Sequence, residues 1–457
     1  MLSVSGARGL VGTSMTPNVA ANLARAFGED VRQRVGAGGV VVVSRDGRPS
    51  GTGLEAAVCA TLSSMGFRAV RLGVVMTPTT AVMIDHLGAV GGIVITASHN
   101  PIEWNGLKFL TGEGAAPPYA EAQRIIDRFR AAPGDGAKPL AAEDAPWGDD
   151  SGPEVHLERV AALVDVEEIR ARHFKVVLDS VNGAGCVAGR LLLERLGAQV
   201  IHLNGRPTGI FAHTPEPVRE NLTDLAAQVA RHGADIGFAQ DPDADRLAIV
   251  DERGRYIGEE YTFVLAAEEV LAQRGAHAGA PLTLAVNLSS SRMIDDVAAA
   301  HGARVIRTPV GEANVVEGMK RHGCILGGEG NGGVIWPRVC FVRDSLSGMA
   351  LGLSLLARRG ESLSRVVEAM PSYAIEKAKS PIRPGLAEQV IAALAAKFAD
   401  ASQDRQDGLR LDWPDQGAWL HVRASNTEPI LRLIAEARDR RQAQAIISEA
   451  AGMIGAV

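Results

Sequence analysis

The sequence predicts an α/β protein: three related mixed-sheet α/β domains followed by a smaller C-terminal α+β domain. Three observations predict it. The chain has 457 residues, 46% of them hydrophobic, which is too long for one core of ordinary size and apolar enough for several. A strand–turn–helix plan recurs, in "GGVVVVSRDGR" (38–48), "FKVVLDSVNGAG" (174–185) and "PLTLAVNLSSSR" (281–292). Each sets a β-branched run before a polar turn, the opening of a βαβ unit. From about Pro371 the pattern changes to half-exposed strands.

The first unit, 1–150, begins with the arm "SGARGLVG". After the 38–48 strand it continues into the helical "GLEAAVCATLSSMG" (53–66) and the buried run "GGIVI", which feeds "TASHNP" (96–101). The Pro-, Gly-, Asp- and Ala-rich stretch 111–153 reads as an excursion around one helix. The second unit, 151–253, has the helical "AGRLLLERLG" (188–197) and a second strand ending in "DPDADR" (241–246). The third, 254–370, has its second strand in "HGCILGGEGNGG" (322–333). The fourth, 371–457, reads as strands in "SYAIEKAKS", "GLRLDW", "GAWLHVRAS" and "PILRLIAEAR", helices at 385–399 and 440–453, and the loop "RASNTEP" (423–429). In α/β sheets ligands bind beyond the carboxyl ends of the strands, so the loops after them are the candidate sites.

Composition narrows the partners. The formal net charge is −6 and no basic block stands out, which argues against nucleic acid and leaves room for a small anionic ligand. No apolar run is long enough for a membrane span, and the first residues lack a signal-peptide pattern, so a cytoplasmic location is expected. Four cysteines without CxxC spacing suggest neither structural zinc nor a disulfide framework.

In "DPDADR" the carboxylates of Asp241, Asp243 and Asp245 alternate, so an extended backbone would set them on one side. Such a trio repels itself unless a hard cation neutralises it. An acidic surface turn is one alternative. An EF-hand loop is another, with Glu252 in the twelfth position but Arg246 where that turn needs Gly. Arg246 beside a metal makes sense if both face a phosphate. "GGEGNGG" lets the backbone approach a ligand closely around Glu329 and Asn331, which suit hydroxyls; a plain flexible turn explains it as well. "RASNTEP" offers Arg423, Ser425, Asn426 and Thr427 to a phosphate dianion, or is an ordinary turn before Pro429. Arg8 could face an anion, and Lys108 could carry a proton. Ser98 reads alone as a turn or cap serine with His99 beside it, and no G-x-S-x-G elbow surrounds it. Beside a metal loop and phosphate loops, it fits phosphoryl transfer better.

Together "TASHNP", "NGLKF", "DPDADR", "GGEGNGG" and "RASNTEP", in this order, resemble the α-D-phosphohexomutases: phosphoglucomutase, phosphomannomutase and phosphoglucosamine mutase. The resemblance spans essentially the whole chain. It implies four domains around a central cleft, a phosphoserine at Ser98, and one Mg²⁺ held by that phosphate with Asp241, Asp243 and Asp245. It implies phosphoserine support from Arg246, roles in proton transfer and phosphate stabilisation for Lys108 and Arg8, hydroxyl reading at Glu329, and a phosphate clamp of Arg423, Ser425, Asn426 and Thr427. The implied reaction interconverts hexose 6-phosphate and hexose 1-phosphate through a hexose 1,6-bisphosphate, which also serves as activator, in a monomer or homodimer. Many relatives carry Ser-Gly-His after the loop glutamate, where this chain has Asn331, Gly332 and Gly333. "GGEGNGG" with "GEAN" (311–314) resembles the phosphoglucosamine mutase branch, so glucosamine phosphate is the expected substrate. Phosphomannomutase/phosphoglucomutase activity is the alternative, and a non-catalytic sugar-phosphate-binding protein is the alternative of another class. Hinge motion is expected near residue 371.

Overall fold

The computed structural model describes residues 2–3, 6–36, 38–131, 147–274, 281–383, 385–425 and 429–455. The first domain contains β1 (Leu2–Ser3), β2 (Gly6–Leu10), α1 (Pro17–Val35), β3 (Val40–Arg45), α2 (Gly51–Ser64), β4 (Arg68–Val74), α3 (Thr77–His86), β5 (Gly91–Ile95), β6 (Trp104–Thr111), α4 (Tyr119–Ala131) and β7 (Trp147–Gly148). The second contains α5 (Gly152–Ala161), α6 (Val166–Arg170), β8 (Lys175–Asp179), α7 (Cys186–Arg195), β9 (Gln199–Leu203), α8 (Thr223–His232), β10 (Ile236–Gln240) and β11 (Leu247–Asp251). The third contains α9 (Glu259–Arg274), β12 (Thr283–Asn287), α10 (Met293–Ala300), β13 (Arg304–Thr308), α11 (Glu312–His322), β14 (Leu326–Glu329), β15 (Gly333–Ile335), α12 (Ser345–Arg359) and α13 (Leu363–Glu368). The last contains β16 (Ala374–Pro381), α14 (Ala387–Lys397), β17 (Ser402–Asp404), β18 (Leu409–Trp413), β19 (Ala418–Ala424), β20 (Ile430–Ala437) and α15 (Arg440–Gly455).

One topological unit occurs three times. The strand orders β4-β3-β5-β6, β9-β8-β10-β11 and β13-β12-β14-β15 are equivalent. In each, three strands run parallel and the last returns antiparallel. The expected relation among the three units is therefore present in the pairing itself. The turn before each antiparallel strand is the loop that carries the sequence motif.

The apolar runs form central strands because both faces are covered. In β3, Val41 and Val43 face one core while Val42 faces another, and Ile93 and Ile95 alternate with Val94 in the same way. The core that takes Val42 and Val94 continues through Val176 and Phe238 to Leu284 and Leu326, so the three α/β units share one apolar interior. The C-terminal sheet, ordered β16-β20-β19-β18-β17, is antiparallel throughout. It encloses its own core of Leu394, Leu409, Leu420 and Leu433 against Ala443 and Ile454. The four cysteines are buried free thiols, and no helix among the described residues is long and apolar enough to cross a membrane.

Candidate active site

Ser98 is buried in the loop between β5 and β6, with φ of 51°. That left-handed geometry costs a non-glycine residue about 1 kcal/mol, so the surroundings must fix it. Ser98 N donates to Thr96 Oγ1 at 2.8 Å, and Thr96 Oγ1 donates to Asp46 Oδ2 at 2.6 Å. Arg48, buried and paired with Asp46, donates to the Ser98 carbonyl at 2.9 Å and also to the Asn100 carbonyl. Arg8 donates to Asn100 Oδ1 at 2.9 Å. The backbone is thereby clamped and the hydroxyl presented: Ser98 Oγ donates to Asp241 Oδ2 at 3.0 Å and lies 3.3 Å from His99 Nδ1. Burial, then Arg246 and Arg8, lower the His99 imidazole to about 3, which leaves it neutral near pH 7.

The expected extended backbone through the aspartates is not found. Residues between β10 and β11 make a turn, with Ala244 at φ 54°, because β11 must reverse direction to pair with β10. The turn nevertheless gathers the carboxylates of Asp241, Asp243 and Asp245 within 4.8 Å of one another, all buried. Strands flank it, which excludes an EF-hand. Glu252 instead accepts from Ser364 N at 3.1 Å, and Asp251 closes its own turn by accepting from Arg253 N and Arg255 N at 3.1 and 2.8 Å.

Lys108 Nζ donates to Asp243 at 2.6 Å and to Asp245 at 3.0 Å. Thr77 Oγ1 donates to Asp243 at 2.6 Å, and Arg343 Nη2 donates to Asp245 at 2.7 Å. Arg246 lies 3.9 Å from Asp245. Burial opposes ionisation of Asp245, yet Arg343 and Lys108 outweigh it and hold the carboxyl well below the usual range. At Asp241, burial and then Asp245 and Asp243 push the carboxyl well above it. Burial disfavours the Lys108 ammonium, but Asp243 and Asp245 overcome this and keep its pKa above the ordinary value. One oxygen each of Asp243 and Asp245 is buried without a hydrogen-bond partner. Such orphans are costly, and three clustered carboxylates, two of them with an unpartnered oxygen, suit a divalent cation such as Mg²⁺.

The sugar-type and phosphate-type loops share a second feature, a cavity of about 170 Å³ lined by Glu329, Asn331, Glu260, Lys377, Arg423 and Arg432 among others. Glu329 accepts from Asn287 Nδ2 at 2.9 Å. Arg423 pairs with Asp407 at 3.2 Å, and Asp407 accepts from Val310 N at 3.1 Å. Arg432 stands directly opposite Arg423 on β20, an arrangement of like charges that favours an anion between them. Ser425 N donates to the Ile430 carbonyl at 3.0 Å at the base of this loop. Asn426 and Thr427 lie outside the described residues.

Arg343 connects the two features. Its Nη1 donates to Glu329 at 2.6 Å, its Nη2 to Asp245 at 2.7 Å and its Nε to Glu312 at 2.9 Å. The sequence reading missed Arg343, Glu312, Thr77, Arg48 and Arg432. The available signals were slight: Asp344-Ser345 as a helix start and arginines aligned on adjacent strands of "VRAS" and "ILRL".

Three α/β units, each sending one hairpin loop to a common centre that a fourth domain completes, define the class of phosphohexomutase folds. The family descriptions "Phosphoglucomutase/phosphomannomutase, alpha/beta/alpha domain I", "domain II" and "domain III" match residues 2–133, 154–254 and 258–373, and the "C-terminal domain" matches 379–453. The chain is 35% identical to a "Phosphoglucomutase/phosphomannomutase" of Thermococcus kodakarensis, over 96% of this chain and 95% of the relative. It is also 35% identical to a "Probable phosphoglucosamine mutase" of Methanopyrus kandleri, over 97% and 95%. A crystal structure of a phosphoglucomutase/phosphomannomutase family protein from Burkholderia thailandensis superposes with a TM-score of 0.85 at 28% identity, over 100% of this chain and 98% of that one. The protein belongs to the phosphoglucomutase/phosphomannomutase family of α-D-phosphohexomutases, Mg²⁺-dependent enzymes of the isomerase class.

Proposed function

We propose that the protein interconverts hexose 6-phosphate and hexose 1-phosphate through a phosphorylated Ser98 and a hexose 1,6-bisphosphate, with glucosamine phosphate as its substrate. The observation that carries this reading is the continuity from Ser98 Oγ to Asp241, with Asp245 in the same triad bonded through Arg343 to Glu329 in the cavity that Arg423 lines. A phosphosugar can lie between a phosphorylated Ser98 and a cationic rim.

In the forward step the bond from Ser98 Oγ to phosphorus breaks and a bond from a sugar hydroxyl to the same phosphorus forms. The hydroxyl proton leaves to a neutral base and Ser98 Oγ ends protonated. His99 offers a neutral nitrogen beside Oγ, and Lys108 stays an ammonium that donates. Mg²⁺ on Asp241, Asp243 and Asp245 would supply charge neutralisation for the phosphoryl group. Arg423, Arg432 and Ser425 hold the phosphate that is not reacting, with Asn426 and Thr427 proposed beside them. Glu329 and Asn331 orient the ring. Arg246 and Arg8 steady the phosphoserine. After the bisphosphate turns end for end, the same steps in reverse return its other phosphate to Ser98.

The Glu329 carboxylate in the cavity suits the 2-ammonium of glucosamine. Phosphoglucomutase/phosphomannomutase activity is the second reading, because a relative of equal identity carries that name. Turnover on glucosamine, glucose and mannose 6-phosphates, each with its bisphosphate present, separates the two. The expected result is the highest kcat/KM on glucosamine 6-phosphate. A preference for glucose or mannose phosphate selects the second reading, and no turnover on any of the three contradicts both.

A further inference from the structure

Ser98, the aspartates and the two arginines of the cavity each have a part in the proposed mutase reaction, but the buried guanidinium that bridges the two features, Arg343, has no step in it. Arg343 spends each of its three nitrogens on a different carboxylate from a different part of the fold. Asp245 comes from the metal-type loop, Glu329 from the sugar-type loop and Glu312 from the first turn of α11. The backbone N of Arg343 also donates to Glu312, at 3.2 Å. A guanidinium is a rigid planar fork, so fixing three directions fixes the relative placement of all three acids.

The surroundings are built to hold this side chain. Asp344, the next residue, caps α12 by accepting from Leu346 N and Ser347 N at 2.9 and 3.0 Å. The buried imidazole of His156, from the second domain, lies 3.3 Å from Asp344 and 2.9 Å from Thr79 of the first. Three domains thus meet at the residue beside Arg343. On the other side, Gly333 pairs across from Glu329 in β14–β15, and a Cβ there would lie 2.2 Å from Arg343 Cδ. The path of Arg343 to Glu329 therefore requires the glycine that stands where the family pattern has histidine.

Resting on the mutase reading, we propose that Arg343 is a positioning and specificity residue that restrains cation affinity at Asp245 while orienting Glu329 for the sugar. Its charge, in contact with Asp245, opposes a divalent cation on the triad, and its fork aims the Glu329 carboxylate into the cavity. The two effects have opposite signs when Arg343 is removed: the cation binds more tightly and the sugar phosphate more weakly. A merely structural residue would weaken both.

The test is Arg343→Gln and Arg343→Lys, with folding followed by circular dichroism. Mg²⁺ binding is measured by calorimetry on sugar-free protein, and kcat and KM on glucosamine 6-phosphate. For Arg343→Gln we expect roughly ten-fold tighter Mg²⁺ binding. KM should rise about ten-fold with kcat within about three-fold. Arg343→Lys, which keeps the charge but not the fork, should bind Mg²⁺ as wild type does while KM stays raised. Unchanged or weaker Mg²⁺ binding in a folded Gln variant overturns the proposal, as does an unchanged KM or a Lys variant that restores both quantities. If the Gln variant does not fold, the Lys variant decides: wild-type Mg²⁺ binding with a raised KM supports the proposal, and altered Mg²⁺ binding or an unchanged KM overturns it. Failure of the mutase reading shows separately, as absent turnover in the wild type, and leaves the calorimetric result standing.

Discussion

Glu260 lies half-buried on the wall of the cavity, accepting from Ser291 N at 3.0 Å. Burial raises its carboxyl to about 8, and the nearby charges of Glu436 and Glu259 add to this against the Ser291 bond. The folded state therefore holds a proton that the unfolded chain releases near pH 4.5. Between those values the folded state binds more protons, so stability falls as pH rises from about 4.5 toward 8. We expect Glu260→Gln to flatten the fall of Tm across that window, measured by thermal melts at half-unit pH steps. An unchanged slope would show that other groups set it. This residue was invisible in the sequence, where it is one acid in the helical "GEEYTFVLAAEEV". Only the fold turns it toward Glu329 and the cations. Ser98 and the aspartates stood out as candidates because the motifs set those residue types side by side, whereas the tertiary clamp of Arg48 and Asp46 that presents Ser98 left no such sign.

At the scale of elements, the repeated four-strand unit explains why the motifs occupy equivalent hairpins. Each β-branched run was readable as a buried strand, and each motif followed its strand. Which loops touch was not readable, since Ser98 meets Asp241 and Lys108 meets Asp245 across domain boundaries. Thr77, at the start of α3, reaches Asp243 from 166 residues away in sequence. Among the contacts that couple the second and third units, Leu247 N donates to the Gly332 carbonyl at 3.0 Å, with Gly332 at φ 84°. A Cβ at Gly332 would lie 2.4 Å from the Leu247 carbonyl oxygen. Gly332→Ala should therefore cost about 2 kcal/mol, from left-handed strain and the backbone clash together. Urea denaturation checks this, and a change within experimental error would mean that the hairpin relaxes without cost.

For the whole molecule, the shared interior of the three α/β units contrasts with the separate core of the C-terminal domain. The connections between that domain and the third unit are largely polar: Ser289 with His421 at 2.8 Å, Arg292 N with Glu436 at 2.9 Å, and Tyr373 with Asp296 at 2.6 Å. Polar interfaces permit relative motion more readily than a continuous apolar core. We propose rotation of the C-terminal domain about the segment near residue 371, closing the cavity over substrate and excluding water from the phosphoryl group. Small-angle scattering should show contraction when glucosamine 6-phosphate is added, and superposable curves would contradict it. The composition change at Pro371 made this domain legible; its polar seam with the third unit was not, because those contacts are long-range.

Intact mass and peptide mapping after incubation with glucosamine 1,6-bisphosphate and Mg²⁺ decide whether Ser98 carries the phosphate. The wild type should gain one phosphate, located at Ser98 and lost again on addition of excess glucosamine 6-phosphate. Folded Ser98→Ala should gain none and lose turnover. A Ser98→Ala protein that still turns over, or a wild type that turns over without ever carrying phosphate at Ser98, would contradict the account.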